Sequence, residues 1–169
     1  MHIGKSFVLT WAALYEQRMG STEPWLLEHV GPAAAARGHY EPDEFTAVAR
    51  WKTPRSRPAI AANSGSDIRQ ITAMAFAAPE SLQHRALTLL HGVGVPTATA
   101  LLAVAFPDRH TIIDVRSTVS LDRLGEWDGQ GGYSKYLDAC RGLAARLGVA
   151  LRILDRALWQ WSKDGYPSP

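Results

Sequence analysis

The 169-residue chain has a single cysteine, Cys140. That excludes an internal disulfide framework, a four-cysteine zinc site and a cysteine-ligated iron–sulfur cluster, each of which needs several sulfurs. A reducing, cytoplasmic setting is expected, and no metal or cofactor. Long apolar runs are also missing. The longest, Val95 to Phe106, spans 12 residues and includes Pro96, Thr97 and Thr99, short of the roughly 20 that cross a bilayer, so no membrane partner is expected. Clean strand alternation between turn signals is absent too, as are internal repeats and low-complexity tracts. What remains is a composition 46% hydrophobic and 20% charged, that of a folded chain of one domain.

Gly and Pro divide that chain into short segments of helical period, which predicts an all-α architecture. Phe7, Trp11, Leu14 and Tyr15 share one face of a first helix, a pattern preferred over a signal peptide because no small-residue cleavage site precedes Glu16. Ser21 to Pro24 reads as a helix start that Gly31-Pro32 ends or kinks, and Ala33 to Ala36 as a further short turn. Pro42-Asp43-Glu44 should open a helix with Phe45, Val48 and Ala49 inside, running to about Trp51. Ser66 is the expected cap of a helix carrying Ile68, Ile71 and Ala75, and Pro79-Glu80 the start of one burying Leu82, Ala86, Leu89 and Leu90. Ala98, Leu101, Leu102, Ala105 and Phe106 form a stripe that Pro107 terminates. Residues 114–124, 133–147 and a last stretch with Leu151, Leu154, Leu158 and Trp161 complete the set, and the tail Pro167-Ser168-Pro169 is expected to be loose.

Charge is unevenly spread. Residues 1–50 have net charge −2 and residues 51–169 net +4, a modest basic bias that suits a polyanion. Arg50, Lys52, Arg55 and Arg57 form a cluster free of acids, interrupted by Pro54 and Pro58; it reads either as phosphate contacts or as a solvated face.

The segment Leu87 to Ala98 places a glycine turn, Gly92-Val93-Gly94, between two helices. Glycine allows backbone angles closed to other residues and lets another backbone approach. The unpaired N–H groups at the start of the second helix suit a phosphate oxygen. A dinucleotide fold is excluded, since the turn follows a helix and Thr97 stands where a third glycine is needed.

The pattern Leu90-x-Gly92-Val93-Gly94-x-x-x-Ala98 resembles the helix-hairpin-helix motif. Ile112-Ile113-Asp114-Val115-Arg116 follows, with its acid 20 residues after Gly94, and together they resemble the helix-hairpin-helix DNA glycosylase superfamily over residues 87–124. The resemblance implies two helical lobes, one of residues 45–106 and one of residues 1–44 with 107–169, and an inter-lobe cleft holding Asp114 as the essential acid. It implies backbone contact with DNA at Gly92, Val93, Gly94, Val95 and Thr97, with Lys52, Arg55 and Arg57 as further candidates. Bifunctional relatives carry a lysine where this chain has Pro96, so the resemblance implies a monofunctional hydrolase. The iron–sulfur loop of many relatives is also missing. Trp51 and Trp127 are the candidates for stacking a flipped base or wedging the duplex. His91 and His110 are expected at the surface. The expected protein is a monomeric DNA glycosylase; a DNA-binding module in which Asp114 only caps a helix, and an interaction domain that binds no DNA, are the competing readings.

Overall fold

Proline and acids at helix starts, with glycine at helix ends, set most of the boundaries in the computed structural model, which describes residues 3–167; Ser168 and Pro169 lie outside the described residues. The chain is all-helical: α1 (Lys5–Arg18), α2 (Thr22–Trp25), α3 (Gly31–Arg37), α4 (Pro42–Lys52), α5 (Arg57–Ala61), α6 (Gly65–Ala77), α7 (Glu80–Leu87), α8 (Val95–Ala105), α9 (Val115–Leu124), α10 (Gly132–Leu147) and α11 (Leu151–Lys163). A π-helical turn, Leu26–Val30, joins α2 to α3, and a 3-10 turn, Pro54–Ser56, joins α4 to α5. No strand occurs among the described residues, and none of their helices is long and apolar enough to cross a membrane. The helices group into two compact units, residues 21–107 and residues 1–20 with 108–169.

In the unit of residues 21–107, α8 is the core. Thr97 to Ala105 are all buried, so this helix is enclosed on every side rather than on the single stripe expected. Residues 21–44 belong here, a correction to the expected lobe boundary. Tyr40 is fully buried; its hydroxyl donates to the Leu101 carbonyl at 2.7 Å and its backbone N–H donates to Thr72 Oγ1 at 3.0 Å. Gly31 lies so close to α8 that a Cβ there would fall inside the Val104 carbonyl oxygen.

Of the two alternatives expected at Gly31-Pro32, an end or a kink, the helix does not end there. The Gly31 N–H donates to the Leu26 carbonyl, five residues back, and that widened turn carries the helix past a proline that has no N–H to give. The helix start at Pro42 is as expected, reinforced by a capping box between Glu41 and Glu44. The cap of α6 is Ser64 rather than Ser66: its hydroxyl accepts from the Asp67 N–H at 3.0 Å, and Ser66 instead receives Gln70. The buried face of α7 is also rotated from the one expected. Gln83, Leu87 and Leu90 are buried while Leu82 and Leu89 are exposed, because the Gln83 amide reaches the Phe76 carbonyl and turns that side inward.

The other unit packs α1 against α11, with α9 and α10 closing its core. Phe7 meets Trp161 edge-on at 5.4 Å, and Val8, Trp11, Leu121, Tyr136, Leu137, Leu154 and Leu158 fill the space between the helices.

Candidate functional site

The α7–α8 connection is built by two anchors and two glycines that do different things. Leu90 and Val93 are buried at the turn, and the Val93 N–H returns to the Leu90 carbonyl at 3.2 Å. Gly92 has φ +75°, and a Cβ there would meet Ala59 Cβ and the Ile60 nitrogen, each at 3.0 Å. Its lack of a side chain is therefore used within the fold, where α5 packs on the turn. Gly94 has φ −87° and is exposed; a Cβ would find only Pro96 Cδ, at 3.8 Å. Asn63 clasps the turn: its Oδ1 accepts the His91 N–H at 2.8 Å and its Nδ2 donates to the His91 carbonyl at 2.9 Å.

Gly94 caps α8 without a side-chain bond, so the first-turn amides that remain beside Pro96 have no intrahelical acceptor. Val95 is exposed there. The Thr97 side chain faces the interior, which leaves its backbone for the expected contact. Thr97 is 2% exposed with its hydroxyl 2.7 Å from that of Thr53, because its position in the first turn of the helix points it into the unit.

That Thr53–Thr97 bond, together with the contact of α5 on Gly92, draws the basic run to the turn. Arg50, Arg55 and Arg57 are exposed, and Lys52 and Trp51 are half-buried on the last turn of α4. Sequence spacing alone does not reveal this proximity, since some 40 residues separate the two segments.

Asp114 lies in the other unit and is half-buried. It caps α9: Oδ1 accepts from the Ser117 N–H and from Ser117 Oγ, both at 3.0 Å, and Ser117 Oγ in turn receives the Asp114 N–H at 3.2 Å. The preceding loop is held from α10. Tyr136 donates to the Ile112 carbonyl at 2.9 Å and Tyr133 to the Thr111 carbonyl at 3.0 Å, and burial pushes the Tyr136 hydroxyl well above its ordinary pKa. His110, expected at the surface, is buried with Nδ1 3.1 Å from the Tyr133 hydroxyl; His91 is exposed.

Trp127, the other stacking or wedge candidate, is half-buried. Its ring meets Tyr136 edge-on at 5.5 Å and its indole N–H bonds the Gln130 carbonyl, closing the 126–131 loop over a shallow hollow of about 690 Å³. Cys140 is buried and its thiol pKa is pushed up to about 12 by that burial, which makes it inert. No group of three or more His, Cys, Asp and Glu side chains that could hold a metal comes together among the described residues.

Three positioning residues escaped the sequence reading. Asn63 has only a local turn signature, and the hydroxyls of Tyr133 and Tyr136 look like ordinary parts of an apolar helix face. No protein-family model, curated protein or solved structure matches the chain.

Proposed function

We propose that this protein is a monofunctional DNA glycosylase that uses its α7–α8 turn as a helix-hairpin-helix grip on the DNA backbone and Asp114 as the catalytic acid group. The observation that carries this reading is the start of α8, exposed and without a side-chain cap, with a helix that begins at Arg57 packed on the same turn. Backbone amides and arginines can hold phosphate oxygens there without reading base sequence. The target nucleotide swings out of the stack, which costs least for a damaged or poorly paired base.

In the reaction the bond between C1′ and the base nitrogen breaks and the base leaves with the electron pair, taking a proton from solvent to which Asp114 later returns the one it removes from water. The Asp114 carboxylate stabilises the positive charge that builds on the sugar and takes a proton from the water whose oxygen joins C1′. The products are a free base and an abasic sugar. With Pro96 in the position of the lyase lysine, the strand is left intact.

The second reading is a DNA-binding module without chemistry, favoured by the Ser117 bonds that make Asp114 a complete helix cap. The discriminating assay is release of bases from duplexes carrying alkylated, oxidised, deaminated, mismatched or hypermodified bases, read as alkali-sensitive sites. Asp114→Asn should abolish release and keep DNA binding. Binding without product from any base in the panel would favour the module.

A further inference from the structure

Among the cations of the unit that contains Asp114, two groups stand out. Arg18 grips Asp164 with both contacts at 2.8 Å, Arg146 pairs with Glu126 at 2.5 Å, Arg156 with Glu16 at 2.6 Å, and Arg152 with Asp155. Arg116, Arg123 and Lys163 make no such pair among the described residues. They lie over aromatic rings, as Arg152 and Arg156 also do over Tyr15: Arg116 Cζ is 5.4 Å and Lys163 Nζ 4.9 Å from the centroid of Trp159, and Arg123 Cζ is 4.1 Å from that of Tyr166.

Two like charges on one indole are held within about 10 Å of each other, close to the Debye length of ~8–10 Å at moderate salt, so each is felt by the other. Asp164 is taken by Arg18 and Gln160, Glu16 and Asp155 by their own arginines, and Asp122 lines the 125–131 hollow. Trp159 is steadied by an edge contact with Tyr15 at 5.5 Å. Ser120 of α9, between the two arginines in sequence, donates to the Leu158 carbonyl of α11, so α9 and α11 share this face. Arg116 stands two residues past Asp114, beside Val115, which is 78% exposed.

Cations without carboxylate partners, interleaved with aromatic planes, are the make-up of a surface that follows a nucleic-acid strand. We propose that the α9–α11 face around Trp159 is a second contact for the DNA backbone, made by Arg116, Arg123 and Lys163 and separate from the α7–α8 turn. This rests on the reading that DNA is the ligand.

The test measures the affinity of the full chain for a short duplex across a salt series, for the natural sequence and for the triple variant Arg116→Gln, Arg123→Gln, Lys163→Gln. Each phosphate contact contributes about 0.9 to the slope of log affinity against log salt, so the triple variant should lower that slope by about 2–3 and weaken binding at least tenfold at low salt. A circular-dichroism melt within a few degrees of the natural chain certifies the fold. A triple variant that binds with the natural slope overturns this second contact and leaves the glycosylase reading standing. A natural chain that binds no DNA at all overturns both. Loss in the triple variant with no effect of Gly94→Ala supports the α9–α11 contact and counts against the hairpin grip instead.

Discussion

Alanine at Gly92 and alanine at Gly94 should have opposite profiles, although the two glycines are neighbours in one turn. At position 92 the backbone has φ +75°, which costs a residue with a Cβ about 1–2 kcal/mol. The new methyl would also press on Ala59 Cβ and the Ile60 nitrogen at 3.0 Å, and crowding of this kind costs about 1–3 kcal/mol. One of these atoms belongs to the α5 backbone, so it cannot rotate away. Together these give roughly 2–5 kcal/mol, a fall in melting temperature of about 4–20 °C for a chain of this size. At position 94 the φ of −87° suits alanine and the space is open, leaving only the poorer cap, about 0.5–1 kcal/mol. There the methyl would stand where a phosphate approaches the α8 amides, and DNA affinity should drop about tenfold, or 1.4 kcal/mol. Thermal melts and DNA titrations on both variants check the pair. If Gly92→Ala melts with the natural chain, or Gly94→Ala loses as much stability as Gly92→Ala, the division between a structural and a ligand-facing glycine is wrong.

Three further outcomes can be measured on the folded chain. Gly31→Ala should prevent folding or lower the melting temperature by more than Gly92→Ala, because its methyl meets the Val104 carbonyl oxygen in the backbone of the central helix; a soluble variant with an unchanged melt would refute the close approach. Tyr136→Phe removes the bond to the Ile112 carbonyl and should cost about 1–3 kcal/mol, with base release falling more than DNA affinity; the split is read from kinetics beside a binding titration. Glu44 has its pKa lowered by its bond to Arg37, and Glu41 by its bonds to His39 and Arg69. Stability from these carboxylates is therefore fully present above the ordinary carboxylate value and lost as pH falls through the lower folded values. Denaturation from pH 6 down to pH 3 should lose less stability in Glu41→Gln than in the natural chain, and an unchanged acid profile would contradict the sign.

Helix starts were the most legible part of the sequence, because their signals are local. Pro42 with Asp43 and Glu44 specifies α4 through the amides of a single turn, and the Gly94-Val95-Pro96 start of α8 is equally self-contained. Which way a helix turns was less legible. Leu89 reads as core by hydropathy, yet it is exposed because the Gln83 amide finds the Phe76 carbonyl and Leu87 takes the inner position. The same cause misled on Ser66, where the competing hydroxyl two residues earlier had the better geometry for the Asp67 N–H. Proximity across the chain was not legible at all. Asn63 on His91, Thr53 on Thr97 and Tyr136 on Ile112 each join segments far apart in sequence, and no periodicity encodes a single hydrogen bond between them.

The capping bonds that favour the module reading are also compatible with chemistry at Asp114, and they set what that chemistry requires. A carboxylate that must stabilise a transient sugar cation has to be oriented beforehand, since reorganising it during the reaction would use up the benefit. Ser117 supplies that orientation with two bonds to Oδ1, and Tyr133 and Tyr136 hold the two residues from which the loop leads into it. A cap asks only for an oxygen at that position, and asparagine offers one almost as well as aspartate. Hydrolysis asks for the negative charge. Asp114→Asn therefore separates the two demands: a melt within about 1 kcal/mol of the natural chain with base release gone assigns the charge to catalysis, whereas retained release would mean the carboxylate serves the helix alone. Ser117→Ala makes the complementary cut, leaving the charge and removing its support. It should lower the turnover rate while leaving the requirement for Asp114 intact, and full turnover in that variant would show that the capping bonds play no part in positioning the acid.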